Sequence, residues 1–190
     1  ATSNPLTLTV TGSTFSDTYD SSFGGDGIFI KTENAVSNTV NIDDCDLLRL
    51  KSYGVSMRAA AGTLNANVTD SNFDKDTKKS MSGVEITPLG TASVNINILR
   101  NTMSFAGAHA ILVDGYGNSS FQARIYCNEI TGPNSCSDCV FGGSIETTNC
   151  ICAGSGIAVF AGDDSYGKAE LISNTIDGLD YNATGIAIHS

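Results

Sequence analysis

The chain has 190 residues, a net charge of −10 at pH 7, three prolines, twenty glycines and no tryptophan. That length suits one domain with a sizeable core, and that charge argues against nucleic-acid binding and against a basic membrane-binding patch. No apolar run approaches the roughly 18 residues of a membrane span, so membrane insertion is not expected, and any export signal is expected to lie outside these residues.

After a polar stretch from Ala1 to Pro5, a strand is predicted through Leu6, Leu8 and Val10, with Ser13 three residues and Phe15 five residues beyond Val10. The same spacing recurs from Ile42 (Cys45, Leu47), Val68 (Ser71, Phe73), Ile98 (Asn101, Met103), Ile125 (Asn128, Ile130) and Leu171 (Asn174, Ile176). Two residues before each of these apolar positions stands another small or apolar side chain, which is the alternation of a strand with one inward face. A second half-unit follows each time: Gly27-Ile28-Phe29-Ile30, then Gly54-Val55-Ser56-Met57, Gly83-Val84-Glu85-Ile86, Ala110-Ile111-Leu112-Val113, Gly156-Ile157-Ala158-Val159 and Gly185-Ile186-Ala187-Ile188. From the last apolar residue of one unit to the position equivalent to Val10 in the next (Ile30 to Ile42, Met57 to Val68, Ile86 to Ile98, Val113 to Ile125, Val159 to Leu171) the steps are 12, 11, 12, 12 and 12 residues, whereas the distance between the two halves of a unit varies freely. A constant connector is a fixed corner, and one side of each coil carries the insertions.

One such unit cannot bury its apolar face alone, but stacked units pair strand on strand and share a continuous core. The expected fold is therefore all-β: a right-handed, single-stranded parallel β-helix of about six coils over residues 1–190, uncapped at both ends, with a Cys-rich insertion at 131–155. Ser13, Cys45, Ser71, Asn101, Asn128 and Asn174 are expected to stack at one corner and satisfy backbone groups freed by the bend. The recurring glycines fit a bend that needs positive φ or close contact between coils. The repeat resembles that of right-handed parallel β-helix proteins, a group that includes pectate lyases, polygalacturonases, phage tailspikes and bacterial adhesin passengers. The resemblance covers nearly the whole chain; it implies architecture and leaves function open, because this scaffold hosts many unrelated sites.

Chemistry-bearing residues are sparse. Asp17, Asp20 and Asp26, with Gly24, Gly25 and Gly27, suggest a calcium loop, but the motif does not recur. Asp43, Asp44 and Asp46 around Cys45 resemble the paired aspartates of polygalacturonases, and with Asp70 they form the catalytic alternative, acid and base for cleaving a polysaccharide. The rest of that family's pattern is missing, because His109 is flanked by alanines and Tyr126 follows Arg124-Ile125. Stacking instead places Asp44, Asp70 and Arg100 in one outward, charge-compensated column. Cys127, Cys136, Cys139, Cys150 and Cys152 are disulfide candidates for the insertion, with a four-thiolate zinc site as the lesser alternative and no cofactor otherwise expected. Cys45 sits three coil steps from Cys127, about 14 Å, and is expected to be a buried free thiol. Asn67, Asn118 and Asn182 each head a glycosylation sequon.

The two ends look alike. From Ile188 through Ser190 and on to Val10 of another copy is 12 residues, the internal connector length. The expectation is a structural or adhesive module outside the cell or on its surface, stacking head to tail on itself or forming one period of a longer protein. Its partners would be further copies and surface glycans, and its assembly surfaces would comprise Leu6, Leu8, Val10, Phe15, Ile28 and Ile30 at one end and Leu171, Ile176, Ile186 and Ile188 at the other. A carbohydrate-active enzyme, or a binding remnant of one, is the alternative.

Overall fold

A computed structural model of the chain describes residues 4–16, 25–50, 52–74, 82–104, 109–132, 155–178 and 184–190. Each coil contributes three strands. In chain order these are β1 (Thr7–Thr11), β2 (Thr14–Ser16) and β3 (Ile28–Thr32); β4 (Ser37–Asp43), β5 (Asp46–Leu48) and β6 (Val55–Ala59); β7 (Thr63–Thr69), β8 (Asn72–Asp74) and β9 (Ser82–Pro88). The second half continues with β10 (Ser93–Leu99), β11 (Thr102–Ser104) and β12 (His109–Gly115); β13 (Ser120–Tyr126), β14 (Glu129–Thr131) and β15 (Ser155–Ala161); β16 (Tyr166–Ile172), β17 (Thr175–Asp177) and β18 (Thr184–His189). Three six-stranded sheets result, with every pairing parallel and every third strand adjacent. The protein is a parallel β-solenoid.

Six strands per sheet are separated by five steps of about 4.8 Å, so the rod makes about five turns over roughly 24 Å, slightly fewer than the six coils expected. Among the described residues there is no helix, and so none long and apolar enough to cross a membrane.

The register reproduces the sequence repeat residue for residue. Val10, Ile42, Val68, Ile98, Ile125 and Leu171 form one inward column of the first sheet. Phe15, Leu47, Phe73, Met103, Ile130 and Ile176 form that of the second. The middle members are fully buried, whereas the columns open toward the ends, where Ile188 is 68% exposed. The core is thus a one-dimensional stack in which each rung depends on its neighbours.

The three corners differ. The first sheet turns into the second through two residues every time, and the first of the two is left-handed: Gly12, Asp44, Asp70, Arg100, Cys127 and Ser173 all have φ between 50° and 56°. The third sheet returns to the first through four residues, or three at Ala60–Gly62, which accounts for the single 11-residue connector. Apart from that one residue, the length variation of the connections falls between the second and third sheets. The Cys-rich insertion lies there, and it starts one residue later than expected because Thr131 ends β14 and Ser155 already belongs to β15.

The recurring glycines are explained by close approach rather than by positive φ. A Cβ on Gly27, Gly54 or Gly83 would stand 2.5–2.7 Å from a carbonyl oxygen of the next coil, at Gly54, Gly83 and Ala110 respectively.

Candidate functional site

The two-residue corner is built from the backbone upward. Each left-handed residue turns its N–H along the axis to a carbonyl of the next coil: Gly12 to Asp43, Asp44 to Thr69, Asp70 to Leu99, Arg100 to Tyr126 and Cys127 to Ile172, at 3.0–3.2 Å. The following residue donates its N–H to a side chain one coil on, so Cys45 reaches Ser71 Oγ, Ser71 reaches Asn101 Oδ1, Asn101 reaches Asn128 Oδ1 and Asn128 reaches Asn174 Oδ1, at 3.0–3.1 Å. The asparagine amides close the pattern backwards, Asn101 Nδ2 onto Val68 O, Asn128 Nδ2 onto Ile98 O and Asn174 Nδ2 onto Ile125 O. The expected polar column is therefore a buried ladder that satisfies groups the bend would otherwise orphan. Cys45 occupies its second rung as a buried free thiol.

The acidic residues around this corner do not converge. Asp43 faces out from β4 and accepts a hydrogen bond from Thr69 Oγ1; Asp46, at the start of β5, accepts one from Asn72 Nδ2 at 3.3 Å. Asp44 sits on the turn between them. Asp70 is gripped by Arg100, Nε to Oδ1 at 2.7 Å and Nη2 to Oδ2 at 2.5 Å, and that guanidinium holds its carboxyl below the usual range. This is the charge-compensated column expected. Both groups are well exposed, so salt screens the pair.

A second constellation, absent from the sequence reading, lies on the outer face of the third sheet. Glu85 faces outward from β9 yet is buried; Thr87 Oγ1 donates to it at 3.2 Å, and Arg58 Nη2 lies 3.8 Å away. Burial first, then Glu85, pushes the Tyr53 hydroxyl far above its ordinary pKa. One coil further, Tyr116 donates to Asp114 at 2.5 Å and its own pKa is pushed up to about 12 by that bond, while burial raises Asp114. The guanidinium of Arg58 also covers the Phe29 ring at 5.9 Å. The carboxylates here already hold partners, and the cluster ties side chains of neighbouring coils to the sheet. The signal was visible, since Glu85 is the only charged residue within the six apolar quartets.

Among the described residues no group of three or more His, Cys, Asp or Glu side chains could hold a metal ion. Of the calcium candidates Asp17 and Asp20 fall outside the described residues, and Asp26 Oδ1 accepts the Tyr53 N–H at 3.3 Å. Cys127 is an exposed free thiol; Cys136, Cys139, Cys150 and Cys152, with any disulfide or zinc they form, lie outside the described residues.

The predicted assembly residues divide. Leu8, Val10, Phe15, Leu171 and Ile176 are partly buried against the core, Leu6, Ile186 and Ile188 are exposed, and Ile28 and Ile30 are buried.

The sequons separate as well. Asn67 donates Nδ2 to Asn41 Oδ1 at 2.8 Å and accepts from Asn97 at 2.7 Å, so its amide is engaged, whereas Asn118 is exposed in the turn between β12 and β13. Expressed in a glycosylating host, the chain is expected to carry glycan at Asn118 and none at Asn67, which peptide mass spectrometry reads directly; Asn182 lies outside the described residues. A pH effect follows from His109, whose Nδ1 is buried without a partner beside the Phe160 ring and whose pKa burial lowers. As pH falls through 6.5 the unfolded chain takes up the proton first. The contribution of His109 to stability is present above that pH and lost as pH drops to its folded value. The denaturation midpoint should fall across this window, and less so in His109→Gln.

The fold and its amide-laddered corner define a parallel β-helix repeat protein. No family model, curated protein or solved structure matches the chain.

Proposed function

We propose that the chain is a structural and adhesive β-solenoid module of an extracellular or cell-surface assembly, extended along its axis by a further copy of the same repeat. That copy is either the next period of one polypeptide or a second subunit stacked head to tail. The observation that supports this is the equivalence of the two outer coils under the rule that joins all inner ones. Applied once more, the rule sends the Ser173 N–H to a Thr11 carbonyl, the Asn174 N–H to a Ser13 Oγ and the Thr14 N–H to an Asn174 carbonyl. Ser71 illustrates that the serine can serve: it donates to Thr69 O at 2.8 Å while accepting from Cys45 N, and Ser13 already donates to Thr11 O at 3.0 Å. Apolar columns that open at both outer coils would be closed by the same step, and a heterologous contact of this kind propagates as a filament.

Sedimentation and electron microscopy test the reading together with a fused tandem of two copies. The expected results are rods longer than one chain at high concentration and a tandem that melts above the single chain. A monodisperse monomer combined with a tandem that melts like the single chain overturns both versions. The polysaccharide-cleaving alternative draws no comparable support, because Asp43, Asp44, Asp46 and Asp70 are spread round a corner and three of them are already bonded.

A further inference from the structure

On β1, β4, β7 and β10 the outward side chains of the first sheet form two amide and hydroxyl tracks along the solenoid axis, which give way on β13 and β16 to Gln122 and Lys168 in one row and to Arg124 and Glu170 in the other. In one, Asn97 Nδ2 donates to Asn67 Oδ1 at 2.7 Å, Asn67 to Asn41 at 2.8 Å, and Asn41 approaches Thr9 Oγ1 at 3.5 Å. In the other, Asn95 donates to Asn65 at 2.9 Å and Asn65 to Thr39 at 3.4 Å. Neighbours along a track are about 4.8 Å apart, and the tracks themselves are two residues apart on each strand, about 6.6 Å.

Two features set this face apart. The chain carries a net charge of −10, yet Asp43 is the only ionisable side chain facing out from β1, β4, β7 and β10. Beyond β10 the same face presents Tyr126 at the end of β13, whose hydroxyl is fixed on Glu170 at 2.5 Å, and Tyr166 on the edge strand β16, 71% exposed, beside the mutually paired Arg124, Lys168 and Glu170.

We propose that this face is the adhesive surface, and that it binds a neutral polysaccharide laid along the tracks. An asparagine within a track uses one amide hydrogen and one oxygen lone pair on its neighbours, and keeps one of each for a ligand. That is the capacity needed by ring hydroxyls, which both donate and accept. The ladder bonds fix the amides beforehand, so little side-chain entropy remains to be lost on binding. Tyr166 supplies an apolar platform for the C–H face of a sugar ring. A polyanion is disfavoured by the charge of the chain and the lack of cations over four strands, and a second copy of this acidic rod is disfavoured for the same reason. The inference rests on the adhesive half of the function proposed above and is independent of axial stacking.

The test is retention of the full chain on immobilised glucan, mannan and chitin, with polygalacturonate alongside, and sedimentation measured in parallel. Retention on at least one neutral polymer is expected, weakened at least tenfold by the pair Asn95→Leu and Asn97→Leu, several-fold by Tyr166→Ala, and unchanged by Arg58→Ala on the third sheet. Tyr166 is so exposed that its variant folds even if the double leucine variant does not. No retention on any neutral polymer, a preference for polygalacturonate, retention undiminished by Tyr166→Ala, or equal loss with Arg58→Ala overturns the proposal. Retention without polymers removes head-to-tail stacking of separate subunits and leaves the adhesive face standing; polymers without retention do the reverse.

Discussion

Asn128→Ala is expected to lower the melting temperature by about 10 °C, the largest effect of any single polar side chain among the described residues. The Asn128 amide accepts from both the backbone and the side chain of Asn101 at 3.0 Å, donates to Ile98 O at 3.0 Å, and donates to Asn174 Oδ1 at 2.9 Å. Alanine leaves the Asn101 N–H, part of its amide and the Ile98 carbonyl without partners in a buried corner. Each such group costs about 1–3 kcal/mol, so after relaxation the loss is about 3–5 kcal/mol. At roughly 2–4 °C per kcal/mol for a chain of this size, the stated shift in a thermal melt follows. Asn128→Asp restores the acceptor but neither donor, and sets a carboxylate oxygen against Ile98 O; it should not rescue. Ser13→Ala on the outermost rung, which is half-exposed and makes one local bond, should shift the melt by less than a quarter as much. Equal effects at the two positions would mean that the ladder is not what holds the corner.

The same ladder shows how far the chain could be read in advance. Parallel coils, the three inward columns, the constant connector and the asparagine corner were all legible, because a solenoid writes its lattice into the sequence as a period and each rung repeats one local decision. The charge column of Asp70 and Arg100 was legible for the same reason. What escaped was set by contacts that no period reveals. The left-handed residue before each ladder position is Gly, Asp, Asp, Arg, Cys and Ser in turn, a mixture with no single chemical signature, although the asparagine or serine beside it marks the place. Glu85 looked like an outward residue of an ordinary strand, and only the side chains of Tyr53, Arg58 and Thr87 gathered around it reveal a buried network. The amide tracks on the first sheet escape for a related reason. Their order depends on register, which aligns Asn41, Asn67 and Asn97 only once the coils are stacked.

Gly54→Ala is expected to cost about 3 kcal/mol, at the upper end for overpacking by a single methyl. The added carbon would stand 2.6 Å from the Gly83 carbonyl oxygen and 2.6 Å from Cδ1 of Phe73. The carbonyl belongs to the next coil, and the Gly54 N–H is bonded to Ser82 O in that coil at 3.1 Å, so the strand cannot retreat without opening the ladder. The ring is the softer obstacle. Phe73 is fully buried in the second sheet between Leu47 and Met103, and Phe73→Ala alone should cost about 3–5 kcal/mol through lost burial and the cavity left behind. Combining Gly54→Ala with Phe73→Leu separates the two obstacles. If the ring dominates, the double variant is less destabilised than the sum of the singles by about 1 kcal/mol or more; if the carbonyl dominates, the effects add. Partial relief is the expected result, because the shorter side chain removes the ring contact and leaves the backbone oxygen in place. Ala110 occupies the equivalent position one coil beyond Gly83, so this site in the repeat admits a methyl group where its surroundings leave room. Urea denaturation of the two singles and the double variant reads all three terms.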